Sequence, residues 1–242
     1  DVIVIGAGVA GLYQLFKLRQ LKVKALVIEA GDNVGGTWYW NRYPGARFDS
    51  ESWSYGYSFS KELFEEWDWP EHFAAQPDTL RYLNYVADKF DLRRDIKFDR
   101  RVEASVFDQE NNLWTVRTNT KEEYVARFLI TALGPLSAFT LPNIEGRETF
   151  KGPAYHTARW PHEEVNFSGK RVGIIGTGAC AIQTIQTIAK DVAHLTVFQR
   201  SPNWAAPLNN SVITEDEQKQ IKQDFEKIFE QCRKTIACFI HD

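Results

Sequence analysis

The sequence predicts an α/β fold built from two Rossmann-like dinucleotide-binding domains, and three observations carry that expectation. A strand, glycine turn and helix open the chain at residues 1–18, and the same pattern recurs at residues 170–200. Between the two copies the pattern changes to short alternating strands, which read as a β-meander inserted in the first domain.

In the first copy, "DVIVIGAGVAGLYQLFKL", the apolar run at residues 2–5 leads through Gly6, Gly8 and Gly11 into helical spacing at Leu12, Leu15, Phe16 and Leu18. A second strand, "KALVIEAG", ends in Glu29, close to the roughly 20-residue offset at which a carboxylate meets a ribose. A lone GxGxxG is weak evidence. With a strand before it, a helix after it and an acid in place, it reads as a dinucleotide site rather than an accidental turn.

The second copy, "KRVGIIGTGACAIQTIQTIAKDVAHLTVFQR", carries GxGxxA as Gly176, Thr177, Gly178, Ala179, Cys180 and Ala181, and its second strand ends in Arg200. A carboxylate accepts hydrogen bonds from a ribose diol and repels a 2′-phosphate, whereas a guanidinium binds that phosphate bidentately. The Glu29 site therefore suits FAD or NAD, and the Arg200 site NADP(H), with the Ser201 hydroxyl as a further phosphate donor. The bland reading of Arg200 is a solvated charge at a strand end. Cys180 is a small residue at a helix N-terminus, where a thiol can be reactive, but close packing is the preferred reason for it there.

Between the copies, "LRYLNYVADKF" places Leu80, Leu83, Val86, Ala87 and Phe90 on one helical face, an interior stripe. "RVEASVFD", "LWTVRT" and "YVARFLITALG" then alternate as strands, the last returning to the first sheet. Near the end, Thr214 and Glu217 form a capping box ahead of one long amphipathic helix bearing Ile221, Phe225, Ile228, Phe229 and Cys232.

The densest chemistry lies at residues 35–60, "GGTWYWNRYPGARFDSESWSYGYSFS". Its paired glycines permit close backbone approach, and Trp38, Tyr39, Trp40, Tyr43 and Tyr55 offer flat apolar walls for an isoalloxazine or aryl group. A packed aromatic core is the competing reading. Arg42, Arg47 and Asp49, interleaved with the rings, are costly to bury unpaired, which favours a site wall.

Composition narrows the class. The chain has 242 residues, 43% hydrophobic and 25% charged, with a net charge of -3. That balance gives no basic footprint for nucleic acid, and no apolar run approaches the roughly 18 residues of a membrane span. Cys180, Cys232 and Cys238 make no CxxC pair and no metal-ligand spacing, which suits a reducing, cytoplasmic setting and argues against dithiol chemistry. The chain opens directly on a strand without an initiator methionine, so it reads as a truncated part of a longer protein. Oligomeric state and substrate size are not legible.

At this point a resemblance becomes specific. "GGTWYWNRYPGARFD" matches the GGxWxxxx(F/Y)P(G/M)xxxD signature of type I Baeyer–Villiger monooxygenases, and "FKGPAYHTARWP" matches their FxGxxxHxxxWP fingerprint through Phe150, Gly152, His156, Trp160 and Pro161. Within that family the sequence looks most like the phenylacetone and steroid monooxygenase branch. The resemblance implies an FAD- and NADPH-dependent enzyme that inserts one oxygen atom of O2 beside a ketone carbonyl, giving an ester or lactone through a C4a-peroxyflavin. It implies a first domain for FAD at 1–140, a linker at 141–161 and the start of an NADP domain at 162–242. FAD contacts implied in the same way are Gly6, Gly8, Gly11, Glu29, Gly36, Thr37, Trp38, Tyr39, Trp40, Asp49, Tyr55 and Val102. For NADP they are Arg47, Phe48, Asp49, Gly176, Thr177, Gly178, Ala179, Cys180, Ala181, Ile182, Gln183, Arg200 and Ser201. Asp49 corresponds to the partner of an active-site arginine that would lie beyond residue 242. Related N- or S-oxygenating flavoenzymes carry a shorter fingerprint that does not close with Trp-Pro. They remain an alternative, as does a nucleotide-binding fragment without turnover.

The fingerprint stretch holds three aromatic residues, one histidine and two prolines where a plain linker would serve. Phe150 and Trp160 read as aromatic anchors. His156 is expected to tie the linker by hydrogen bonds and so couple NADP occupancy to the flavin site, rather than to act as a base or metal ligand.

Overall fold

The computed structural model describes residues 1–236 and 240. In chain order the first elements are β1 (Val2–Ile5), α1 (Val9–Gln20), β2 (Ala25–Ile28), α2 (Thr37–Trp40), α3 (Ser52–Tyr55), α4 (Lys61–Glu66) and α5 (Gln76–Lys89). Strands β3 (Ile96–Lys97), β4 (Val102–Asp108), β5 (Leu113–Thr118), β6 (Glu123–Ala126) and β7 (Phe128–Thr131) follow. The remainder is β8 (Arg171–Ile175), α6 (Ala179–Ile188), β9 (His194–Phe198), α7 (Glu215–Gln223) and α8 (Phe225–Lys234). The fold is α/β, as expected.

The chain divides into two compact units, Asp1–Asn41 with Leu80–Trp160, and Arg42–Thr79 with Pro161–Asp242. Residues 42–79 thus group in space with the second half of the chain, although they directly follow the first glycine unit in sequence.

In the first unit a parallel sheet runs β3-β2-β1-β7. Val2, Ile3 and Val4 are buried because such a sheet is covered on its faces, here in part by the meander, so its strands read as continuous apolar runs. The meander β4-β5-β6 is a separate antiparallel sheet. Its Val116 and Ala126 pack with Ile3 and Ile28 in one core. The sequence reads "YVARFLITALG" as one alternating run that returns to the first sheet at "FLITALGP"; the return strand β7 starts at Phe128, and the run breaks at Arg127. Ala126 pairs with Trp114 in the meander, while Phe128 pairs with Val2 in the parallel sheet. The change of partner sheet needs one residue outside both ladders. Arg127 fills that place, its backbone donating to Asp1 O and its guanidinium to the Asp1 carboxylate.

The second unit holds the parallel pair β8-β9. The long C-terminal helix expected from sequence is two helices, parted at Asp224, whose φ of -85° and ψ of 11° leave the helical range. The Thr214–Glu217 capping box is formed at the start of α7. The bend serves α8, whose buried Phe225, Ile228, Phe229 and Cys232 form a cluster with Phe64 of α4 and Trp53 of α3. Phe64 meets Phe225 and Phe229 edge-on at centroid distances of 5.0 and 5.6 Å, the geometry that aromatic quadrupoles favour. Cys238 lies outside the described residues. Among the described residues no helix is long and apolar enough to cross a membrane, and no cluster of His, Cys, Asp or Glu is arranged to hold a metal ion.

Candidate nucleotide sites

In the first unit the glycine turn between β1 and α1 is closed by Glu29, at the end of β2. Its carboxylate is buried and accepts the Ala7 amide at 2.6 Å and the Gly31 amide at 2.8 Å. An ionised carboxylate offers about four lone-pair positions, so two remain for a ribose diol. Helix α1 starts after Gly8 with no side-chain cap, and a helix N-terminus of this kind favours an anion. Gly36, at the start of α2, has a φ of 53°, and a Cβ there would meet the Gly8 Cα at 2.7 Å. Only glycine lets these two backbones touch, which draws the residue 35–40 segment over the turn. A buried acid, a helix N-terminus without a side-chain cap and bare backbone are a donor and acceptor set that fits the nucleotide half of FAD.

The aromatic segment divides in two. Trp38 and Tyr39 are each only 7% exposed, and Tyr39 donates its hydroxyl to Asp32 at 2.8 Å beneath Gly31. They pack the turn from below, while Trp40 is half-buried with its ring across Tyr39 at 89°. Val102 opens β4 at a register shift in the meander.

All of the fingerprint but Pro161 is also in this unit. His156 accepts the Ala158 amide on Nδ1 at 3.1 Å, which caps the short turn at Thr157–Arg159, and its ring packs on Phe139 at 4.6 Å. Burial, and then the Arg159 charge, hold its pKa below the ordinary 6.5. This hydrogen bond of His156 is local, within the fingerprint turn. Phe150, expected as an anchor, is 66% exposed, its ring lying over Gly152. Trp160 is half-buried against Tyr155 at 5.4 Å. Arg159, which sequence reading passed over, lies between Trp40 and Phe139. No spacing rule marks it, because its partners come from two other segments.

In the second unit the turn between β8 and α6 is open. Gly176 has a φ of 104° and a Cβ placed on it would meet nothing within 4 Å, so the space beside this backbone is free for a ligand. Helix α6 starts at Gly178 without a side-chain cap. Thr177 is held by Gln199 on its hydroxyl and by Asn203 on its carbonyl, at 3.2 and 3.0 Å. Arg200 and Ser201 are exposed just past β9. Among the described residues Arg200 has no acidic partner, so its fork of donors fits a phosphate.

Gln183 of α6 ties this turn to the 43–49 loop. Its Oε1 accepts the Tyr43 hydroxyl at 2.8 Å and the Arg47 amide at 3.4 Å, and its Nε2 donates to Arg47 O at 3.0 Å and Asp49 Oδ1 at 3.4 Å. Burial and then a hydrogen bond with Cys180 push the Tyr43 phenol above its usual pKa, so it stays protonated and remains the donor. Arg47 is engaged by Glu71 at 3.1 Å and by Phe73 O at 3.0 Å, and Phe48 stacks on Tyr55 at 4.4 Å. Asp49 is exposed. All thirteen residues expected at NADP are therefore in one unit, including Ala179, Ala181 and Ile182 of the α6 start. Of the residues expected at FAD, Asp49 and Tyr55 fall in this second unit and the others in the first.

This pair of glycine-turn units places the chain in a known class: residues 3–239 match the pyridine nucleotide-disulphide oxidoreductase family, and the chain belongs to it. Its relatives include Baeyer–Villiger monooxygenases. It is 46% identical over 242 residues to an acetone monooxygenase (methyl acetate-forming) of Gordonia sp., covering 100% of this chain and 45% of the relative. It is 44% identical over 240 residues to a phenazine N-monooxygenase of Lysobacter antibioticus, covering 98% and 44%. Among solved structures, the OTEMO complex with FAD and NADP superposes with a TM-score of 0.95 at 47% identity, over 99% of this chain and 46% of that one. The chain thus spans about 45% of the length of the curated relatives it matches.

Proposed function

We propose that the protein is an FAD- and NADPH-dependent Baeyer–Villiger monooxygenase that converts a ketone and O2 into an ester or lactone, and that this chain supplies its two nucleotide sites. The carrying observation is the contrast between the units: the first ends its second strand in buried Glu29, and the second in exposed Arg200 with no acidic partner among the described residues. In this reading residues 1–140 serve FAD, 141–161 form the fingerprint linker and 162–242 serve NADP, with residues 42–79 supporting the second unit. Cofactors seen with the OTEMO neighbour and the product printed for the acetone monooxygenase support it. So does the lack of any CxxC pair, since disulfide chemistry needs two neighbouring thiols. We place the protein in the cytoplasm on the same cysteine pattern.

When bound, the flavin would accept hydride from NADPH and pass the electrons to O2. This chain's residues bind and orient. Glu29 takes the ribose of the first nucleotide. The amides at the start of α1 and α6 face pyrophosphates, and Arg200 with Ser201 takes the 2′-phosphate. Gln183 holds the Asp49 carboxylate and the Arg47 backbone in register, and Trp38 and Tyr39 exclude water beneath the first turn.

Its test is to give the full-length protein FAD, NADPH, O2 and a panel of cyclic, aryl and long-chain ketones, with product mass as the readout. Esters or lactones heavier than the ketone by one oxygen are expected. Hydrogen peroxide alone across the panel would sink the reading. The phenazine N-monooxygenase relative favours a second reading, so the panel includes heteroaromatic amines, and N-oxides without any ester would select that one.

A further inference from the structure

We infer that Arg159 is a positioning residue for the flavin site, clamping the fingerprint turn onto α2 and so setting how firmly FAD is held. The inference rests on the FAD reading above. Arg159 occupies a variable position of the fingerprint, so the motif itself assigns it nothing.

Its guanidinium carbon lies 5.1 Å from the ring centre of Trp40 and 5.0 Å from that of Phe139. Nη1 donates to Ala158 O at 2.7 Å and Nη2 to Ser137 O at 3.1 Å. Phe139 in turn carries the His156 ring on its face at 4.6 Å. Three pieces of chain, α2, the loop after β7 and the fingerprint turn, thus meet at one cation. Among the described residues no carboxylate neutralises it, so ring faces and carbonyl oxygens do that work.

The arrangement asks for arginine. A flat guanidinium can present its faces to rings while its edge donates to two carbonyls, whereas the point charge of lysine cannot satisfy both requirements. Freed of this clamp, Trp40 and the short helix that carries it lose their lateral support. That helix begins at Gly36, whose contact with Gly8 covers the first nucleotide turn. Looser FAD is the consequence.

The experiment uses the full-length protein, stripped of flavin and titrated with FAD by flavin fluorescence, as parent, Arg159→Ala, Arg159→Lys, Trp40→Leu and the Arg159→Ala/Trp40→Leu pair. Arg159→Ala is expected to weaken FAD by about tenfold, the scale of a partly desolvated cation–π contact with its hydrogen bonds, with NADP affinity unchanged. Arg159→Lys recovers less than half of that loss. In the Trp40→Leu background the Arg159→Ala effect shrinks to about twofold, because coupled residues are not additive. Parent-like FAD binding in Arg159→Ala overturns the clamp, as does full recovery by lysine or an equal loss in both backgrounds. If Arg159→Ala does not fold, Arg159→Lys carries the test alone, and parent-like FAD affinity in it overturns the clamp. A parent protein that binds no FAD at all overturns the FAD reading itself, a separate result.

Discussion

Glu29 and Arg200 stand at nearly matching places, directly after β2 and one residue further on after β9, and their surroundings differ as their charges do. Glu29 is buried and fully oriented by two backbone amides, whereas Arg200 is exposed with its donors uncommitted to any acid among the described residues. Replacing Arg200 with alanine should raise KM for NADPH about tenfold or more while leaving NADH within about twofold, since a charge-assisted phosphate contact contributes roughly 1.5–3 kcal/mol. Steady-state kinetics with both coenzymes decides it, and equal losses would remove the phosphate assignment. His156 makes a different prediction. Its neutral ring accepts the Ala158 amide, and its pKa lies below 6.5 through burial and Arg159. The unfolded chain therefore binds the proton more readily than the folded one. The turn's stabilisation is complete above about pH 6.5 and is lost as pH falls through the lower folded value. An NMR titration of the labelled histidine should show a midpoint under 6.5, and a midpoint at or above it would contradict the geometry.

Among the elements, helix α8 shows how a stripe finds its partner. Its apolar positions are plain in the sequence, but nothing local says that Phe64 of α4 and Trp53 of α3 complete the cluster, or that the helix must bend at Asp224 to reach them. Phe229 is 6% exposed at the centre of that cluster. Phe229→Ala should cost ~3–5 kcal/mol, the usual price of a large ring removed from a packed core. Urea unfolding of the chain measures it, and a loss under ~1 kcal/mol would show that the cluster is not a core. The split at Arg127 has the same origin. An alternating run signals strand but not which sheet each half joins, and the pairing partners of β6 and β7 lie in different parts of the chain.

Over the whole molecule, the legible part is what short stretches encode. Each glycine turn, its flanking strand and helix and its terminal acid or base lie within about 30 residues, where backbone sterics and spacing suffice. Hence both nucleotide units, the opposite charges at Glu29 and Arg200, the Thr214 capping box and the family signatures can be read from the sequence by itself. The tertiary structure alone decided the rest. It grouped residues 42–79 with the second half of the chain, locked Gln183 to Tyr43 and Asp49 across more than 130 positions, and set Arg159 between Trp40 and Phe139. It also kept the His156 hydrogen bond local. The physical reason is common to these cases. A hydrogen-bond donor or a cation satisfies whichever partner the packed core brings within reach, and that partner is chosen by burial of distant apolar surface, which no local pattern records.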